Sequence, residues 1–250
     1  VILVGGKGSR VSNLLQGKSK SEIEILPNTK IIDFQIKKLL KLNKKIIFLS
    51  NVKITSFKKY IKSKYHNADI DIIEERKPLG TAGSLAQLKK YKYKFFLILD
   101  GDLIFNLDFK KLIKYHKNKK SNCTLVVHPN NHPHDSDCVT IDKNNKIEKF
   151  YFKPHRNKKI NNLCLSGIKI INKENLKIIK DDEFQDFSKI FLKKLIKEKN
   201  IYAYNTREYI KDVGTPERIK EFKKEYKTIK FEKANINKKI PAIFLDKDGV

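Results

Sequence analysis

Short apolar runs alternate along the chain with longer stretches in which apolar residues recur every three or four positions. The runs at 1–4 (VILV), 46–50 (IIFLS), 69–74 (DIDIIE), 95–99 (FFLIL) and 123–127 (CTLVV) have the length and the β-branched, aromatic content of buried strands. Helix-period stretches lie between them, near 31–43, 54–65, 82–91 and 107–119. Alternation of this kind predicts βα units and a mainly parallel sheet covered on both faces. From 138 to 171 the pattern changes to strand-like segments, CVTIDKNNKIEKFYF and LCLSGIKII, with Asn144 and Asn145 as a hairpin turn. Helices follow near 185–197 and 215–227. Residues 228–240 are polar and aperiodic and lead into Pro241, the signature of a linker. The chain therefore divides into a domain over 1–227, a linker over 228–241 and a short separate segment over 242–250.

Composition narrows the class. No apolar run approaches the ~18–20 residues of a membrane span, and VILVGGKGSR lacks the pattern of a signal peptide. Cys123, Cys138 and Cys164 form no CxxC pair and fit free thiols in a reducing cytoplasm. The net charge of +27 comes from 50 lysines but only five arginines, spread over every segment. A nucleic-acid footprint is clustered and leans on arginine. The charge thus reads as solvated surface with no nucleic-acid partner, and it suits a phosphate-rich small substrate. Val1 is not an initiator and the chain contains no methionine, so a fragment cut at both ends is expected.

Candidate chemistry clusters at strand ends. The first strand runs into GGKGSR, where Gly5, Gly6, Gly8 and Ser9 let backbone N–H groups approach an anion and Arg10 adds a bidentate phosphate donor. The segment is neither a Walker loop nor GxGxxG. After FFLIL comes DGDLIFNLD, which places Asp100 and Asp102 at the carboxyl end of a central strand, able to share a face and to hold Mg2+ beside phosphates. In DVGTPERIKEF, Thr215 as N-cap, Pro216 at the first helical position and Glu217 in the first turn account for a helix start. Asp212 precedes that cap and is left over as a second metal carboxylate. Between these segments, EERKPLGTAGSL opens a helix with a glycine-rich loop that either holds a flat ring or forms a plain turn. The stretch HPNNHPHDSD, 128–137, concentrates histidines and aspartates; zinc is one reading and a polar loop touching a sugar is the better one.

The series GGKGSR, Lys20, PLGTAGSL, LDGD and DVGTPE, in this order and at these spacings, resembles the sugar-1-phosphate nucleotidylyltransferases over about 1–227. The resemblance implies a three-layer α/β/α sandwich with a mixed, mainly parallel sheet, the Rossmann-like nucleotide-diphospho-sugar transferase fold. It implies a nucleoside triphosphate and a sugar 1-phosphate as substrates, Mg2+ as cofactor, and an NDP-sugar for surface polysaccharide as product. The glycine loop with Arg10 then holds the triphosphate, and Lys20 contacts phosphate near the reacting centre. Pro78, Gly80, Thr81 and Gly83 line the base, and Asp102 and Asp212 hold the metal. Lys153 holds the sugar phosphate, and Gly167 lies where the sugar binds. Ser19 and Ser21 stand where prolines are usual in the family, Phe152 where a carboxylate commonly precedes the lysine, and Leu165 where Asn is often found. The closing AIFLDKDGV resembles the first motif of haloacid-dehalogenase-type phosphatases, with Asp246 as nucleophile and Asp248 as acid/base. That pairing of activities implies a heptose 1-phosphate acceptor and GTP. Mannose 1-phosphate with GTP, an amino sugar with UTP, and a non-catalytic nucleotide or polyanion binder are the alternatives.

Overall fold

The computed structural model describes residues 1–5, 19–50, 54–130, 132–155, 160–198 and 200–228. Gly6, Gly8, Ser9 and Arg10 of the glycine loop lie outside the described residues, as do the linker from 229 onward, Asp246 and Asp248.

In chain order the strands are β1 (Ile2–Leu3), β2 (Glu24–Leu26), β3 (Thr29–Lys30), β4 (Ile46–Ser50), β5 (Ile70–Glu74), β6 (Phe95–Asp100), β7 (Leu103–Phe105), β8 (Cys123–His128), β9 (Cys138–Ile141), β10 (Ile147–Tyr151), β11 (Cys164–Asn172), β12 (Ile201–Asn205) and β13 (Ile210–Asp212). The α-helices are α1 (Ile31–Leu40), α2 (Thr55–Lys64), α3 (Gly80–Gly83), α4 (Phe109–Asn118), α5 (Lys193–Glu198) and α6 (Pro216–Thr228). The helix expected over 82–91 begins at Gly80 and tightens into a 3-10 helix over Ser84–Lys90. The one expected over 185–197 opens with a π-helical turn, Phe187–Leu192.

Nine strands form one sheet. The path β5-β4-β1-β6 is parallel throughout. Strand β11 then enters antiparallel to β6 and to β8, and β12 extends β8 in parallel. The β9–β10 hairpin continues from the end of β11. The sheet is thus mixed and mostly parallel, with β10 and β11 opposing the rest. Asn145 takes the hairpin turn at φ 64°, and Asp142 Oδ1 accepts from the N–H groups of Asn144 and Lys146.

Alternation along the strands divides the core between two faces. Ile47, Leu49, Phe96, Ile98, Leu125 and Ile171 meet the 3-10 helix of 84–90 and the helices of 187–198 on one face. Ile46, Phe48, Leu99, Val126, Ile168 and Ile170 meet α1, α2 and α4 on the other. This is the expected three-layer α/β/α arrangement. Local signals fix the helix starts. Lys30 N donates to Asp33 Oδ2 at α1, and Asp108 Oδ1 accepts from Lys110 N and Lys111 N at α4. Cys138 and Cys164, distant in sequence, face each other across β9 and β11 as free thiols, Sγ to Sγ 3.1 Å.

Two short antiparallel pairs lie off the main sheet, β2–β3 and β7–β13. Around them Ile23, Ile25, Ile104, Val213, Ile219 and Phe222 form a third, smaller core that seats α6. This small core has a consequence for the site. The β7–β13 register sets Asp212 opposite Leu103, and Val213 N donates to Asp102 O at 2.9 Å.

Candidate active site

A cavity of about 800 Å³ opens at the carboxyl end of β6. Asp102, Asp212, Lys153, Gly167 and Thr81 all line it, so residues from five separate segments of the sequence meet there. Strand β6 ends at Asp100, and the turn Gly101–Asp102 leads into β7. Asp102 therefore lies beyond the strand's alternation, while β13 delivers Asp212 from the opposite direction.

The two carboxylates converge on Gly214. A Cβ at that position would lie 2.8 Å from Asp212 Oδ1, 3.0 Å from Asp102 Oδ2 and 3.4 Å from Lys20 Nζ. The two oxygens therefore flank the same position, which only a residue without a side chain can occupy. Lys20 Nζ also stands 3.4 Å from Asp102 Oδ2. Asp212 Oδ1 accepts from Gly214 N at 2.6 Å, and its Oδ2 accepts from Arg218 Nη1 at 2.6 Å.

The electrostatics fit a cation here. Although 26% of the Asp102 side chain is accessible, enclosure by protein, followed by the charge of Asp212, pushes its carboxyl up to about 6. Lys20 acts in the opposite direction and does not cancel the rise. A divalent ion bound between the carboxylates reverses the penalty, and two hard oxygen donors in an open setting suit Mg2+ with phosphates. Among the described residues no group of three or more His, Cys, Asp or Glu is placed to hold a metal, so the 128–137 loop forms no zinc centre there.

That loop forms a polar wall of the cavity. His132 N donates to Asn130 Oδ1, and Asn130 Nδ2 donates to Ser136 Oγ. Burial holds the His128 and His132 imidazoles below their usual range, so they bring no positive charge at neutral pH. Lys153, the expected sugar-phosphate lysine, donates from Nζ to Asp135 O at 2.9 Å and from its backbone to Asp137 Oδ1 at 3.0 Å.

The expected base-binding loop is only partly directed at the cavity. Thr81 lines it and also accepts from Phe187 N at 2.9 Å. Gly80 and Gly83 are pressed against the 183–185 segment instead: a Cβ would lie 2.6 Å from Gln185 O and 2.4 Å from Glu183 O, respectively. Pro78 stands at the start of that loop, and Gly5 follows β1 at the edge of the described residues.

Two cations were not singled out in the sequence. Arg218 ties Asp212 to the loop, with Nη2 3.5 Å from Asp135 Oδ2. It sits in the first turn of α6, where Thr215 Oγ1 accepts from its N–H at 3.3 Å and confirms the expected cap. Its signal was its rarity in a chain with five arginines. Lys169 is buried on β11 and donates to Asp100 Oδ1 at 2.7 Å. Its signal was a lone charge inside LCLSGIKII.

Residues 1–229 match the family described as nucleotidyl transferase. A D-glycero-alpha-D-manno-heptose 1-phosphate guanylyltransferase of Aneurinibacillus thermoaerophilus is 26% identical over 229 residues, covering 90% of this chain and 96% of its own. Mannose-1-phosphate guanyltransferase 2 of Candida glabrata is 30% identical over 226 residues, covering 86% and 61%. The chain spans only 64% and 61% of the first curated relatives it matches. The crystal structure of HddC from Yersinia pseudotuberculosis superposes with a TM-score of 0.76 at 23% identity, over 90% of this chain and 97% of that one. Its complex with GMP-PN gives 0.74 at 22%. Likeness at that level of identity speaks for the fold.

Proposed function

The chain belongs to the nucleotidyl transferase family, and from that premise we propose that it transfers a nucleoside monophosphate from a nucleoside triphosphate to a sugar 1-phosphate. The observation that carries the reading is the meeting of Lys20, Asp102 and Asp212 around Gly214 at the mouth of a large cavity. A non-catalytic binder has no use for two crowded carboxylates, one of them pushed up to about 6.

The chemistry needs positioning more than covalent help. A phosphate oxygen of the sugar 1-phosphate attacks the α-phosphorus. The bond to the bridging oxygen of the β-phosphate breaks, and pyrophosphate leaves with that electron pair. The attacking phosphate is already anionic, so no general base is required. Lys20, beside Asp102, supplies positive charge where negative charge develops on the phosphoryl oxygens. Lys153, on the cavity wall, holds the acceptor's phosphate. Arg218 keeps Asp212 turned toward Gly214. Asp102 and Asp212 would hold Mg2+, which would supply charge neutralisation and orientation of the phosphates.

We infer GTP as donor and a D-glycero-D-manno-heptose 1-phosphate as acceptor. Support comes from the length match to the Aneurinibacillus enzyme and from the phosphatase-like LDKDG motif at Asp246 and Asp248, since a phosphatase acting on a heptose bisphosphate makes that acceptor. Mannose 1-phosphate with GTP is the second reading, favoured by the 30% identity to the Candida protein. The test is pyrophosphate release with Mg2+ and each of GTP, UTP, CTP, ATP and dTTP, with and without heptose 1-phosphate or mannose 1-phosphate. Release with GTP plus heptose 1-phosphate alone is expected. Release with another pair keeps the reaction and discards the substrate; silence with every sugar 1-phosphate discards the reaction.

A further inference from the structure

The floor of the cavity holds an ion pair with no part in the phosphoryl chemistry. On β6, Phe96, Ile98 and Asp100 alternate onto one face, and Lys169 and Ile171 of β11 occupy the same face. The side chain of Lys169 is only 6% accessible. Its Nζ donates to Asp100 Oδ1 at 2.7 Å and lies 4.7 Å from the centre of the Phe187 ring. Asp100 adds to the negative field at Asp102, behind burial, Asp212 and Lys20 in effect, and the charge of Lys169 offsets it in part.

The second oxygen of Asp100 is different. Oδ2 accepts no hydrogen bond from the described residues, and 38% of the side chain is accessible from the cavity. A Cβ at position 167 would lie 2.7 Å from Oδ2. Gly167 takes φ +83°, where the β11–β8 register shifts between Leu165 and Lys169. Glycine at 167 thus lets the backbone approach that oxygen closely, and its remaining access is from the cavity. An ionised carboxylate only accepts hydrogen bonds, so it matches a hydroxyl and repels a phosphate. Leu103, Leu125 and Ile168 of the same cavity offer apolar contact to carbon-bound faces.

We propose that Asp100 is a specificity-determining residue, accepting a hydrogen bond through Oδ2 from a hydroxyl of the acceptor sugar, with Lys169 as the positioning residue that aims it. The proposal rests on the nucleotidylyl-transfer reading.

The experiment measures kcat/KM for the accepted sugar 1-phosphate and its monodeoxy analogues. It compares wild type with Asp100→Asn, Lys169→Arg and the double variant Asp100→Asn/Lys169→Met, each checked for folding by thermal melting. The double variant covers the case in which Asp100→Asn alone fails to fold. Wild type is expected to discriminate against one analogue by roughly 10- to 100-fold. The double variant loses that discrimination, mainly through KM for the sugar, with half-saturation by Mg2+ unchanged; Lys169→Arg retains it. A folded double variant that still discriminates as wild type does overturns the proposal. A displaced Mg2+ half-saturation also overturns it, by making Asp100 a metal ligand. A wild type inactive with every sugar 1-phosphate sinks the transfer reading, and this inference with it.

Discussion

Asp100 and Asp102 leave the same strand two residues apart, and the two walls of the cavity they belong to treat charge in opposite ways. Among the described residues the Asp100 carboxylate has one hydrogen-bond partner, a buried lysine at 2.7 Å. Asp102 is crowded by Asp212, has its lysine at 3.4 Å, and holds its proton up to about 6. At the first wall the carboxylate charge is balanced by the protein itself. At the second it is not, and in the proposed reaction that is where a cation would complete the balance. On the proposed reading, recognition and chemistry are separated by balancing the charge of one carboxylate and leaving that of the next unbalanced.

The comparison breaks first at Asp102. Asp102→Asn is expected to lower kcat by roughly 10³-fold, since it removes a charged donor at the reacting phosphates; steady-state pyrophosphate release checks it. Stability distinguishes the walls next. Asp100→Asn strands Lys169 and is expected to cost about 3 kcal/mol in urea unfolding, restored in large part by adding Lys169→Met. Asp102→Asn without Mg2+ is expected to cost nothing or to stabilise at pH 7. If both variants destabilise alike, the contrast is wrong.

The pH dependence has a definite sign. Asp102 has its carboxyl raised in the fold, so between about 4 and 6 the folded state binds more protons than the unfolded one. Without Mg2+, its contribution makes stability fall as pH rises through that window; at higher pH the contribution is flat. Mg2+ affinity rises with pH over the same range. Urea midpoints of wild type and Asp102→Asn, compared from pH 4 to 7, isolate the effect. The smallest expected change is at the cap. Thr215→Ala removes the acceptor for Arg218 N and is expected to cost about 1 kcal/mol, with a modest rise in the Mg2+ needed for half activity.

Much of the sheet was legible because buried strands write themselves as uninterrupted apolar runs. IIFLS and CTLVV are covered on both faces and leave little ambiguity. What escaped reading was short or half-exposed. Strands β7 and β13 are three residues each, and their meaning lies in a register between segments about a hundred residues apart. The strand IYAYN does alternate, with Ile201 and Ala203 buried, and could have been found by its period of two. Within the site, Asp102 and Asp212 were readable as carboxylates without a local structural duty. Arg218 was hidden because a good helix start already explained its neighbours. Lys169 was hidden because a lysine draws no notice in a chain with fifty of them. The glycines of PLGTAG were read for a ligand, whereas their tightest constraint is the backbone at 183–185.

Strand β11 also sets the order in which the molecule can assemble. It is the seam that pairs with β6 on one side and β8 on the other, yet it follows both in the chain. During synthesis the parallel half, β5-β4-β1-β6, can gather while the seam is still within the ribosome. The edge strand β12 and the small core that brings Asp212 to Asp102 come later still. These strands emerge last from the ribosome, so their pairings form last, and the β7–β13 pairing also closes a longer loop than β1–β6 does. A nascent chain therefore gathers its parallel half before Asp212 meets Asp102.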